Sequence, residues 1–132
     1  MPQDPVPRPP ESAARRWSLE LPRDAPTARA ARGAVGDWLS DAPPERLDAA
    51  RSVVTELVSN AVRYGRAPIG LSVEHLGDRI RIEVTHAGTG RPRARFEPRA
   101  RGRGLQIVAA QAESWGTSED LSHVWVELRV AR

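Results

Sequence analysis

The stretch that decides the fold is PERLDAARSVVTELVSNAVRYG, residues 44–65. Leu47, Ala50, Val54, Leu57, Val58 and Ala61 recur at the i, i+3, i+4, i+7 spacing that puts apolar side chains on one stripe of an α-helix. The spacing predicts a helix over 44–64, with Gly65 where a left-handed C-terminal cap belongs. A helix with one apolar stripe needs a second layer to cover it, and the flanking sequence supplies strands. Ile69, Leu71, Val73 and His75 alternate with polar neighbours over 69–76, and Ile80, Ile82 and Val84 do so over 80–84. Period two marks half-buried strands. Gly77-Asp78 between them makes a hairpin.

Upstream, Ala28, Ala31, Val35 and Leu39 recur at helical spacing, which predicts a helix over 24–39. Asp24 or Thr27 can cap it, with Pro26 in its first turn, and the Asp41-Ala-Pro-Pro run separates it from the next helix. Before it, Trp17, Leu19 and Leu21 alternate in RWSLEL, a strand over 16–21 that Pro22 ends. Residues 1–14 carry five Pro and few large apolar side chains, and read as a disordered tail ahead of one domain over 15–132.

Downstream, residues 87–103 hold Gly, Pro and six Arg but almost nothing apolar, and read as a long loop. LQIVAAQA, 105–112, reads as a helix entered through Gly102-Arg103-Gly104; Trp115-Gly116 leads to a short strand. His123 to Val130 alternates Val124, Val126, Leu128 and Val130 as the closing strand. The order β, α, α, β, β, loop, α, β, β predicts an α+β two-layer sandwich, a mixed sheet with helices on one face.

Composition narrows the function classes. One domain is what 132 residues and 39% hydrophobic content allow. Without Cys there is neither a disulfide framework nor a thiolate metal site, and the three His are scattered. No apolar run approaches the roughly 20 residues of a membrane span, and the N-terminus lacks the apolar core of a signal peptide. The reading is therefore cytoplasmic, with no membrane association. The pI near 10.8 overstates the charge, because all the basic residues are Arg and the net charge is only +3. Direct nucleic-acid binding is not expected from so small an excess.

Three constellations can carry chemistry. Glu56 and Asn60 are one turn apart on the central helix and share a face offset from its apolar stripe. An amide oxygen can ligate Mg²⁺, and a carboxylate one turn away can take a proton from an attacking hydroxyl. His86-Ala87-Gly88-Thr89-Gly90 follows a strand, and its glycines permit close backbone approach to a ligand. Gly102-Arg103-Gly104-Leu105 opens a helix, where free N–H groups suit phosphate. Each alone has a plain alternative: a solvated polar face, a strand-ending turn, a glycine-entered helix.

Together, in this order and spacing, they resemble the GHKL (HATPase_c) superfamily. TELVSNAVRYG, 55–65, is similar to its N-box, Val84–Pro92 to its G1 box and Gly102–Leu105 to its G2 box. Trp115-Gly116 and the Val124–Leu128 strand resemble the small bacterial members, the anti-sigma-factor serine kinases of the RsbW type and their actinobacterial relatives. The resemblance implies a Bergerat ATP-binding fold over 15–132, taking ATP and Mg²⁺ beneath a mobile lid. It implies Glu56 as general base towards a partner's Ser, Asn60 as the Mg²⁺ ligand, and Gly88 and Gly90 beside the adenine and the lid hinge. Arg63 and His86 are counted with the nucleotide-binding residues, and Gly102, Arg103, Gly104 and Leu105 would hold phosphate. The lid Arg residues, 91–103, can pair phosphate oxygens. The implied partners are an anti-anti-sigma factor and a sigma factor, and a homodimer is compatible with the resemblance.

His86 departs from that pattern, which has Asp where it would accept a hydrogen bond from the adenine amino group. A neutral His offers one acceptor nitrogen, and only in one tautomer. Two readings follow: an ATP-dependent protein serine/threonine kinase that binds a sigma factor, or a non-catalytic partner-switch module of the same fold with weakened or lost nucleotide binding. A third, a detached sensor histidine kinase domain, lacks room for the dimerising hairpin, since His75, His86 and His123 all lie in or beside predicted strands.

Overall fold

The computed structural model describes residues 14–24, 26–87, 112–118 and 122–129. Along the chain run β1 (Ala14–Leu21), α1 (Thr27–Trp38), α2 (Pro44–Tyr64), β2 (Ile69–Leu76), β3 (Arg79–Thr85), β4 (Ser114–Thr117) and β5 (His123–Arg129). The strands form one sheet in the order β1-β2-β3-β5-β4. α1 packs on β1 and α2, and α2 packs on β2, β3 and β5, so both helices lie on one face. None of the described helices is long and apolar enough to cross a membrane.

The layers and the helical face match the sequence expectation, but the sheet is not mixed. All four pairings are antiparallel. The connections explain it. A single-helix crossover would return the chain parallel to β1; here two successive helices bring it back to the end where β1 finished, so β2 runs the other way. Leu21 accordingly pairs with Ile69. The β2–β3 hairpin then closes through Gly77, whose φ of 58° is the left-handed backbone a tight turn needs.

Alternation places the core. Cross-strand partners Val73, Ile82 and Val126 share the helix-side face, as do Leu71, Val84 and Val124. Against them α2 buries Ala49, Ala50, Val53, Val54, Leu57, Val58 and Ala61. Fully burying a Val, Leu or Ile side chain is worth roughly 1.5–3 kcal/mol, so this interface sets α2 rigidly on the sheet. The other sheet face is polar. There Arg81 donates to Glu83 at 2.7 Å and Glu127 at 2.9 Å, with its guanidinium 4.4 Å from the centre of the Trp125 ring.

Two capping expectations fail. Neither Asp24 nor Thr27 caps α1, which begins after Pro26. The buried Thr27 hydroxyl instead donates to Pro22 O at 2.6 Å, tying the helix start to the end of β1. Gly65 ends α2 with φ −101°, an extended rather than left-handed conformation. The strand β1 also reaches one residue into the predicted tail, Ala14 pairing with Leu76. Residues 1–13, and the predicted helix over 105–112 apart from Ala112, lie outside the described residues.

Candidate functional site

The position of α1 divides the surface of α2 into two unlike flanks. At about 100° per residue, Val62 and Arg51 lie roughly 140–160° around the helix from the midpoint of Glu56 and Asn60. The Val62 and Arg51 side meets α1. Arg51 reaches to Gly36, where an added Cβ would stand 2.8 Å from its Nη2. Because α1 sits over the β1 edge, the flank bearing Glu56 and Asn60 faces the β5–β4 side of the molecule.

Glu56 and Asn60 are both half-buried, and neither side chain makes a hydrogen bond or ion pair among the described residues. Neither contributes a fully buried, unpartnered polar atom, so both side chains remain accessible to water or to a ligand. A carboxylate and a carboxamide, about 6 Å apart along the axis, are thus presented by a rigid helix. The donor set is hard oxygen, which suits Mg²⁺; that ion keeps most of its shell for water and phosphate and takes only one or two protein ligands. Among the described residues no three His, Asp or Glu side chains converge as a self-sufficient metal cluster.

Arg63, by contrast, is exposed on the boundary between the flanks. Its guanidinium lies 5.6 Å from the Tyr64 ring centre. With Ala28, Ser59 and Val62 it lines an open cleft of about 320 Å³ on the α1 side.

His86 sits at the end of β3, close to the C-terminal end of α2. Its backbone N–H donates to Ser122 O at 3.0 Å, and Ala87 N–H donates to Arg66 O at 3.0 Å. The half-buried imidazole lies directly on Gly65: an added Cβ there would be 2.5 Å from the ring Cγ. This is the role of Gly65 that sequence reading missed. It was legible as a helix terminator, but its need for glycine comes from a ring 21 positions away in sequence. Along the axis, Gly65 is about 8 Å beyond Asn60 and about 14 Å beyond Glu56. His86 therefore stands beyond Asn60 and Glu56 along the axis, at the C-terminal end of α2. Gly88, Gly90, Gly102, Arg103, Gly104 and Leu105 lie outside the described residues.

The family model described as histidine kinase-, DNA gyrase B-, and HSP90-like ATPase matches residues 45–132, from the first turn of α2 through the closing strand. No curated protein matches the chain. With a family match over two thirds of the length, the chain belongs to the histidine kinase-, DNA gyrase B- and HSP90-like ATPase family.

Proposed function

We propose that the protein is an ATP-binding regulatory protein that phosphorylates a serine of a partner protein, in the manner of the anti-sigma-factor kinases its sequence resembles. The observation that carries this reading is the Glu56–Asn60 pair, half-buried, without partners among the described residues and fixed on a rigid helix. Asn60 would hold Mg²⁺ through its amide oxygen. The ion supplies charge neutralisation on the phosphates when bound. Glu56 accepts the proton of the attacking serine hydroxyl while that oxygen bonds to the γ-phosphorus, and the bond to the ADP oxygen breaks. The base would rest towards His86 and the phosphates towards Glu56. An anti-anti-sigma factor as phosphoacceptor and a sigma factor as bound partner complete the proposal.

Calorimetric titration with ATP, ADP and GTP, with and without Mg²⁺, tests it. Mg²⁺-dependent ATP binding is expected, abolished by Asn60→Ala; no heat at millimolar ATP overturns the reading. Transfer of label from γ-labelled ATP to an anti-anti-sigma-factor protein tests the kinase step.

His86 favours a second reading, a partner-switch module with weakened nucleotide binding. Its ring is committed to the Gly65 surface, and an imidazole replaces a carboxylate acceptor. On this reading His86→Asp tightens ATP binding by about 5- to 150-fold, the equivalent of one buried hydrogen bond worth roughly 1–3 kcal/mol. Unchanged affinity counts against it.

A further inference from the structure

The corner where β1 meets the end of α1 carries an aromatic surface that the described residues leave partly open. Trp17 of β1 and Trp38 of the last turn of α1 are stacked on each other, and both are half-buried. Neither indole N–H has a hydrogen-bond partner among the described residues, and an indole can only donate. Beside them, Asp37 is exposed and has no ion pair among the described residues. It stands in the last turn of α1, which holds no basic residue. The helix dipole disfavours a carboxylate there and favours a cation. The corner is therefore complementary to flat apolar rings, carbonyl acceptors and one positive charge.

One segment of the chain offers all three. Residues 5–10 read Pro-Val-Pro-Arg-Pro-Pro. Proline presets φ near the polyproline II value, and that helix has no internal hydrogen bonds, so its carbonyls are free to accept. With three residues per turn, Pro7 and Pro10 share one face and Arg8 stands on the next. The segment also begins close to the corner. Arg15 donates to Asp41, just beyond α1, at 2.9 Å, so β1 starts within a side chain's length of the helix end. From Ala14 back to Pro7 the chain can span roughly 22 Å, whereas Trp17 lies only about 10 Å along β1 from Ala14. Glu11-Ser12-Ala13, free of proline, leaves room for a reversal.

We propose that Pro5–Pro10 folds back in cis as a polyproline II strap on this corner. Pro7 and Pro10 lie on the Trp17–Trp38 pair, carbonyls of the strap accept from the indoles, and Arg8 meets Asp37 at the end of α1. The segment cannot order itself by its own burial; the aromatic pair supplies the surface it lacks. A polyproline II ligand is already extended, so docking costs it little entropy, and the covalent link raises its local concentration.

Val6 and Arg8 hold the segment's only amide N–H groups, because its other four residues are proline. In the full chain their backbone order parameters should exceed about 0.6; lower values, those of a free tail, overturn the proposal. Pro7→Gly with Pro10→Gly should bring both below that level and shift the Trp17 and Trp38 indole N–H resonances. Unshifted indoles would rule out the tryptophan pair as the docking surface. Arg8→Glu and Asp37→Arg should each lower the docked-to-free ratio about two- to fivefold, the size of one exposed ion pair, and the two together should restore it. No recovery, with every variant folded by circular dichroism, refutes the placement of Arg8. The chain has no cysteine, so Gln3→Cys carries a single nitroxide label. It should broaden the indole resonances of Trp17 and Trp38 more than those of Trp115 and Trp125; the reverse order puts the segment elsewhere and ends the proposal. Tenfold dilution should leave the indole shifts unchanged. Shifts that move with concentration identify a second copy as the source of the strap and overturn docking in cis.

Discussion

One helix, α2, carries two flanks built on opposite rules. On the side of α1 and the sheet, its side chains are apolar or anchored: Val54 and Val58 are fully buried, and Arg51 lies along Gly36. On the other side, Glu56 and Asn60 are half-buried and have no side-chain partner among the described residues. Packing maximises stability on the first flank. On the second, polar groups remain accessible to water and to a ligand. The helix needs both, since the first gives the rigidity with which the second is presented.

Substitutions on each flank separate these roles, and the largest effect belongs to the polar one. Glu56→Gln keeps shape and hydrogen-bonding capacity but removes the base. Phosphotransfer should fall by roughly 10²- to 10⁴-fold, with nucleotide affinity and melting temperature nearly unchanged; a large loss of stability would mean that Glu56 is structural. On the opposite flank, Val58→Ala leaves a cavity between the helices and the sheet. It should cost roughly 2–3 kcal/mol, a fall in melting temperature of the order of 10 °C. Nucleotide affinity per folded molecule should hold, and calorimetry on the folded variant checks it.

A smaller effect arises at the β1 end of the α1 layer. His75 Nδ1 lies 3.3 Å from Arg15 Nη2, and Arg15 in turn pairs with Asp41 at 2.9 Å. Burial, with the positive charge of Arg15, holds the imidazole below its ordinary value of 6.5, although Asp41 works against them. The folded state therefore keeps His75 neutral where the unfolded chain begins to protonate it. Its contribution is fully present above pH 6.5 and is lost as pH falls through the folded-state value. His75→Asn should flatten the decline in melting temperature below about pH 6.5 relative to the native chain. An identical pH profile would remove the coupling.

Much of this architecture was legible because burial follows period. The apolar stripe of 44–64 and the alternation of 69–76 each found their layer, and Gly77-Asp78 gave the hairpin. That Glu56 and Asn60 stand one turn apart on a helix was legible from their spacing. The antiparallel sheet was not, because strand direction depends on where two helices return the chain, and no local pattern encodes it. Thr27 misled for a related reason. Its hydroxyl has a use as a cap and another as a donor to Pro22, and only the neighbouring strand end decides between them. Gly65 was assigned to backbone geometry when the cause was a distant imidazole.

The parallel rings of Trp17 and Trp38, with centroids 5.9 Å apart and planes 4° from parallel, join β1 to the last turn of α1. Two indoles so close are electronically coupled, and their circular dichroism and fluorescence depend on that stacking. The molecule thus contains a native optical gauge of whether α1 is seated. It reports on the N-terminal layer, the part of the fold that precedes the ATPase family match, without any label.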